Sequence, residues 1–270
     1  MSDENIDALG TYQYLKLIKD GPIARVIFNR PESLNALNIG LMTEIENVSR
    51  SFLVDESVRV VIFSGEGKHF TAGSDLKQAR VKDESMLMRR RNSGLGARMI
   101  KAIQEINQVT IAAIHGVALG GGACITTACD FRIGSDDCLI GYPEVNLGIN
   151  LMWQSLPLCV HLVGPARAKR MIMLGQKEDA STLLEWGFLD EVVPKAELEA
   201  ASMALAEQYA RQPPIAVQMI KQSVDAVSNQ MDAAVMHMDT DQNILTTMTQ
   251  DQREGVKAFF EKREPVFKGD

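Results

Sequence analysis

The stretch His115–Ile125, HGVALGGGACI, carries Gly120, Gly121 and Gly122 in succession inside an apolar run. A glycine within regular structure costs roughly 0.5–1 kcal/mol relative to alanine, so three together ask for a bare backbone. Where a strand ends and a helix begins, the first-turn N–H groups point outward and the helix dipole favours negative charge. A glycine at that place lets a carbonyl oxygen approach with no Cβ in its way. Such donors stabilise an enolate or a tetrahedral oxyanion, and loss of one costs about 2.7–4 kcal/mol. One donor is rarely sufficient. A second loop, Thr71-Ala72-Gly73-Ser74-Asp75-Leu76, follows an apolar strand pattern and is the candidate for a partner.

Other uses of these glycines fit less well. A dinucleotide-binding turn needs GxGxxG between a strand and a helix. Gly65-Glu66-Gly67 has only its first half, the triplet lacks its spacing, and no GxxxxGK[ST] occurs. Cys124, Cys129, Cys138 and Cys159 form no CxxC pair, and no His stands at zinc-ligand spacing, so neither a metal nor a separate cofactor is expected. With a formal charge of −7, nucleic acid and anionic membrane surfaces are disfavoured as partners. The acidic start MSDENIDALG is unlike a secretory or transit segment. No apolar run reaches the roughly 20 residues that span a bilayer. The expectation is a cytoplasmic protein with reduced thiols.

The elements that position these loops follow from periodicity. Tyr14–Lys19 and Ile23–Phe28 alternate around Asp20-Gly21-Pro22 and predict a β-hairpin. Leu41, Ile45, Val48 and Phe52 predict a helix over 40–54. Val58–Phe63 and Val109–Ile114 read as buried strands, Arg98–Ile106 as a helix, and 131–133 as a further strand. From Pro165 onward helices dominate: 166–174, 181–186, 197–211, 215–229, 232–248 and 251–263. The late helices carry many methionines, and their apolar face predicts core or subunit interface rather than a cofactor box. Strand and helix alternation in the first part indicates an α/β fold built from β-β-α turns.

Five motifs in order resemble the crotonase superfamily of enoyl-CoA hydratases and isomerases. They are Asn29-Arg30-Pro31 with Asn35-Ala36-Leu37, Phe70–Leu76 (FTAGSDL), His115–Gly122 with Cys129-Asp130 following, Tyr142-Pro143-Glu144 with Leu147-Gly148, and the end Gly255–Phe267. The resemblance implies a crotonase-like spiral of β-β-α units over 1–195 and a helical trimerisation region over 196–270, as trimers or paired trimers. It implies that the N–H groups of Ser74 and Gly121 form an oxyanion hole for a coenzyme A thioester, with coenzyme A present only as part of the substrate. Leu34, Ala36, Ala72 and the run Ser74, Asp75, Leu76 and Lys77 would border the CoA arm. Phe259 and Lys262 would lie near its nucleotide end, on this or a neighbouring subunit.

Hydratases of the family use two glutamates, one two residues after the glycine triplet and one in the PE motif. Here the second is Glu144 and the first position is Cys124. A thiol of reference pKa about 8.5 is a poor substitute for a carboxylate of about 4.3 at neutral pH. One carboxylate still serves one reaction: it takes a proton from C2 and returns it at C4 while the hole holds the dienolate. Bulky Ile149-Asn150-Leu151-Met152-Trp153 stands where hydratases have small residues, and would exclude water. The preferred expectation is enoyl-CoA double-bond isomerisation with Glu144 as sole base. Hydration, and a non-catalytic CoA-ester binding protein, remain the alternatives. Cys124, Tyr142 and Trp153 are expected around the acyl group, with packing as the plainer role for each. Asp75 is read foremost as a turn or cap residue, and His115 and Asp130 as structural.

Overall fold

The computed structural model describes residues 12–77 and 84–270; the acidic start read above lies outside them. Strands β1 (Leu15–Asp20) and β2 (Ile23–Phe28) form the expected hairpin, paired from Leu15–Phe28 to Asp20–Ile23. Parallel strands β3 (Val60–Gly65), β4 (Val109–Ile114), β6 (Phe131–Ser135) and β9 (Glu191–Val193) extend it into a six-stranded sheet of order β1-β2-β3-β4-β6-β9. Three short strands, β5 (Val117–Leu119), β7 (Leu139–Gly141) and β8 (Lys177–Asp179), make a second sheet in that order. The chain repeatedly lays a strand in the large sheet, touches the small one and returns through a helix. The crossovers are α1 (Ile39–Ser51), α2 (Met86–Ser93) with α3 (Leu95–Gln104), and α4 (Gly121–Ala128). Helices α5 (Leu156–Leu174) and α6 (Ala180–Glu185) then lead to β9. This is the α/β spiral that the motifs implied.

The large sheet is buried on both faces, which explains why its parallel strands read as unbroken apolar runs. Val61, Phe63, Ala112 and Ile114 point into a core shared with Leu41, Ile45 and Val48 of α1 and with Met99, Ile100 and Ile103 of α3. Val60, Ile62, Val109, Ile111 and Ala113 face the other way, against Leu198, Ala206 and Ala210 of α7 (Leu198–Ala210). Alternation at period two thus sorts one continuous run into two cores. The strand expected at 58–63 lies two residues later, because the Arg59 and Val60 N–H groups both go to the Pro22 carbonyl and pairing starts only at Val60.

The C-terminal helices depart from expectation in one way. The single helix predicted over 232–248 is divided into α9 (Asp232–Met236) and α10 (Asp239–Thr246), with Asp239 turned inward and buried. The methionine-rich face, expected as core or subunit interface, is not buried within this chain, which leaves the interface half of that expectation. Met219, Ile220, Val224 and Val227 of α8 (Pro214–Ser228), with Met231 and Val235 after it, are all exposed. Helix α11 (Gln250–Glu261) ends the fold and packs on the 143–148 turn. Among the described residues no helix is long and apolar enough to cross a membrane.

Candidate active site

The glycine triplet sits at a strand-to-helix junction. Gly120 follows β5 with φ 53° and ψ −116°, a conformation open to glycine alone. Its N–H donates to the Gly141 carbonyl at 2.9 Å, and α4 starts at the next residue. The Gly121 N–H therefore stands at a helix start with no acceptor among the described residues. The loop from Thr71 runs beside it. Thr71 N–H donates to Val117 O at 3.0 Å, and Leu119 N–H returns to Thr71 O at 3.2 Å. Leu37 then pairs with Ser74 as a parallel bridge, through Leu37 N–H to Gly73 O at 2.8 Å and Asp75 N–H to Leu37 O at 3.1 Å. The Ser74 N–H points to the other side of that bridge, also with no acceptor among the described residues. A Cβ built on Gly73 would stand 3.6 Å from the Gly121 nitrogen, so the two loops are in backbone contact. Two backbone donors without acceptors among the described residues thus lie on adjoining loops.

The residues of the Asn29-Arg30-Pro31 and Asn35-Ala36-Leu37 segments hold this pair of loops. Buried Asn35 donates to Glu66 O at 2.9 Å and His69 O at 2.8 Å, and accepts from Arg30 N–H at 2.8 Å. The Thr71 hydroxyl donates to Asn35 O at 2.6 Å and accepts from Gly73 N–H at 3.1 Å. The Arg30 guanidinium bonds the Ala36 carbonyl and reaches Asp75 Oδ2 at 3.2 Å, with both side chains largely shielded. Asp75 is thereby a latch and turn residue; its other oxygen accepts from Lys77 N–H at 3.1 Å. His115 bonds Gly67 O at 3.1 Å, and Asp130 is held by Thr110 and by Lys221 at 2.7 Å, as the structural readings required.

Glu144 is delivered by β7 through a short 3-10 turn, Pro143–Leu147, that closes on left-handed Gly148. Helix α11 clamps this turn: a Cβ on Gly148 would lie 2.7 Å from Asp251 C, and one on Gly255 2.6 Å from Leu147 C. The carboxyl arrives against the helix start, with Oε1 at 2.7 Å from where a Gly120 Cβ would be. The residue is half-buried, but its Oε2 is sealed from solvent and has no hydrogen-bond partner. Burial without an opposing cation penalises the charged form and pushes this carboxyl up to about 7. That places a carboxyl with a pKa of about 7 against the helix start that bears the Gly121 N–H.

Cys124, Tyr142 and Trp153 are packed near this carboxyl and helix start. Cys124 lies one turn into α4 and is fully buried; desolvation, then the nearby Glu144 charge, drive its thiol well above the ordinary range. It stays protonated and cannot act as a base at neutral pH. Tyr142 is buried, and its hydroxyl makes no bond of ordinary geometry, with Thr127 and the Cys159 thiol as its polar neighbours. The Trp153 ring lies where a Cβ on Gly121 or on Gly96 would collide with it. Gly121 is thus needed twice, as an open donor and as the seat of an indole.

The structure brings Leu34, Ala36, Ala72 and Ser74–Lys77 to one edge: Ala72 N–H donates to Leu34 O at 3.0 Å, and Leu34, Ser74, Leu76 and Lys77 are exposed there. Between this edge and α11 is a cavity of about 530 Å³, walled by Asp75, Leu76, Leu147 and Ile149 and, on the helix, by Gln252, Arg253, Val256 and Lys257. Phe259 and Lys262 are exposed at the end of α11 and are not part of that wall. Sequence reasoning missed Gly96, Gln154 and Asp239. A glycine inside the helical pattern LGARMI was the available signal for Gly96, since it marks close approach; nothing local distinguished the other two.

Comparison with known proteins shows the family to which this fold belongs. A family profile described as Enoyl-CoA hydratase/isomerase matches residues 19–270. A crotonyl-CoA hydratase of Syntrophomonas wolfei is 32% identical over 258 residues, covering 95% of this chain and 98% of that protein. A short-chain-enoyl-CoA hydratase of Clostridium acetobutylicum is 33% identical, covering 92% and 94%. The crystal structure of an enoyl-CoA hydratase/isomerase from Pseudoalteromonas atlantica superposes with a TM-score of 0.85 at 27% identity, covering 95% of this chain and 100% of that one. With motifs, fold and relatives in agreement along nearly its whole length, the chain belongs to the enoyl-CoA hydratase/isomerase family, the crotonase superfamily of enzymes.

Proposed function

We propose that this enzyme moves the double bond of an enoyl-CoA from C3 to C2, with Glu144 as its single base. The observation that carries the reading is the pairing of one buried carboxyl of pKa about 7 with a thiol, Cys124, that burial keeps protonated. The thioester oxygen sits between the N–H groups of Ser74 and Gly121. Ionised Glu144 removes a proton from C2, and the electron pair moves into the carbonyl as the double bond shifts. The resulting dienolate oxygen is held by the two donors, a stabilisation worth about 2.7–4 kcal/mol per donor. The same carboxyl then returns its proton to C4, so the base is regenerated and no water enters the balance. The Trp153 ring over Gly121 supports water exclusion.

The CoA arm runs along Leu34, Ala36, Ala72 and Ser74–Lys77, while Phe259 and Lys262 meet its nucleotide end on a neighbouring subunit. The exposed apolar faces of α8 and α9 support assembly as trimers or paired trimers, with 1–195 as the core domain and 196–270 as the oligomerisation region. Four free, buried thiols suit a reducing cytoplasm.

Hydration is the second reading, favoured by the names of the relatives, several of which are called hydratases. Ultraviolet absorbance of the conjugated enoyl thioester separates the two. With a 3-enoyl-CoA the absorbance is expected to rise, and with a trans-2-enoyl-CoA to stay nearly constant. A fall in the second cuvette means that water adds, and hydration replaces isomerisation. Silence in both, with CoA esters still bound, points to another reaction of the enolate.

A further inference from the structure

Trp153 and Gln154 are consecutive non-glycine residues with left-handed backbone, φ 69° and 57°. Such a step persists only where its surroundings hold it, and here the hold comes from α10. Asp239, the first residue of that helix, is 2% exposed and accepts the Gln154 N–H on Oδ2 at 2.9 Å. Its Oδ1 is sealed from solvent and has no partner. One and two turns further on, Asn243 and Thr246 reach Asn150 Oδ1 at 3.4 and 3.3 Å. One face of α10 therefore grips both ends of the segment that carries Trp153. The helix is itself tied to α2, by Arg90 to Asp241 at 2.6 Å and Arg89 to Thr247 at 2.7 Å.

A buried carboxyl group that faces the Trp153 and Gln154 backbone N–H groups, with one oxygen lacking a partner of ordinary geometry, is an expensive acceptor. What it secures is the place of the indole. Without an acceptor at Asp239 the Gln154 N–H would be orphaned, and the left-handed step would relax towards ordinary backbone. The ring would then leave Gly121 and Gly96, the two glycines whose missing Cβ atoms make room for it. The ring stands directly against Gly121, at the start of α4.

We propose that Asp239 is a positioning residue that holds Trp153 as the end wall of the acyl pocket and so restricts the enzyme to short acyl chains. This rests on the reading of Ser74 and Gly121 as donors to the thioester oxygen. Trp153 and Trp186 are the two tryptophans of the chain, and Trp186 lies elsewhere, under Arg167 and Arg170. In a Trp186→Phe background Trp153 is the sole indole, and its acrylamide quenching reports whether the ring is sheltered.

Asp239→Ala in that background is expected to raise the quenching constant severalfold. The ratio of kcat/KM for 3-pentenoyl-CoA over 3-decenoyl-CoA is expected to fall by about tenfold or more, the scale of discrimination by a hydrophobic pocket. Asp239→Asn keeps an acceptor oxygen and should restore both readouts. Trp153→Ala, with Asp239 intact, should reproduce the change in chain-length ratio. A folded Asp239→Ala protein with unchanged quenching overturns the positioning role, and an unchanged ratio in Trp153→Ala overturns the wall. Should Asp239→Ala not fold, Asp239→Asn decides: wild-type quenching upholds an acceptor role, and an exposed indole refutes it. Quenching needs no turnover, so an error in the assigned reaction would show as inactive cuvettes with the quenching pattern intact.

Discussion

Replacing Glu144 by glutamine should stabilise the protein, and by an amount that depends on pH. The carboxyl is raised from 4.5 to about 7 by burial. At about 1.4 kcal/mol per pH unit, ionising it in place costs roughly 3 kcal/mol more than in the unfolded chain. Below about pH 4.5 both states hold the proton and no penalty exists. Between there and about 7 the folded chain keeps a proton that the unfolded chain has lost, so stability falls as pH rises; above that the whole penalty is present. Glutamine does not titrate. The stability of Glu144→Gln relative to wild type should therefore climb from near zero at pH 4 to roughly 3 kcal/mol at pH 8. Urea unfolding of both proteins at one protomer concentration, across that range, measures the difference; other titrating groups cancel because both proteins carry them. A difference that stays flat, or a variant less stable at pH 8, refutes the account of a carboxyl strained by desolvation. The activity should show the other side of the same proton, with wild-type kcat/KM rising to half its plateau near pH 7 and the variant losing about a thousandfold.

Further substitutions address the remaining parts. Cys124→Ala should keep kcat within about threefold of wild type, because a thiol held protonated takes no part in proton transfer, while urea unfolding registers a loss of about 1 kcal/mol for the vacated volume. Arg30→Gln removes the latch on Asp75 and should raise KM for the CoA ester several-fold in steady-state assays, with a stability cost of about 1–3 kcal/mol. Gly121→Ala should abolish activity or folding, since its methyl meets the Trp153 ring; adding Trp153→Ala should recover soluble protein, and a double-mutant cycle by thermal unfolding should show strong coupling.

How much of this was legible depended on whether a feature is local. The hairpin at 15–28, α1 and β4 carry their periodicity in their own residues, and they appear where expected. β5, β7, β8 and β9 are three residues each, too short for alternation to register; they exist because neighbouring backbones offer them partners. The break between α9 and α10 was invisible because apolar residues continue at helical spacing through it. The second helix starts where Asp239 turns inward to accept the distant Gln154 N–H. At the site, a triple glycine announces an open backbone, but which atoms fill the opening is a matter of packing. The Glu144 turn on one side and the Trp153 ring on the other come from segments more than twenty residues downstream. An aspartate in the first turn of a polar helix reads as solvated, which is why Asp239 went unnoticed.

The clamp of α11 on the 143–148 turn bears on how the enzyme is born. The two N–H donors belong to segments the ribosome delivers in the first half of the chain, and Gly120 has its own backbone partner once Gly141 emerges. The carboxyl follows at once in sequence, yet the helix that seats its turn comes far later in the order of synthesis, and the α10 anchor for Gln154 only slightly before that helix. A growing polypeptide thus carries both open N–H donors long before the Glu144 turn is seated and the Trp153 segment anchored.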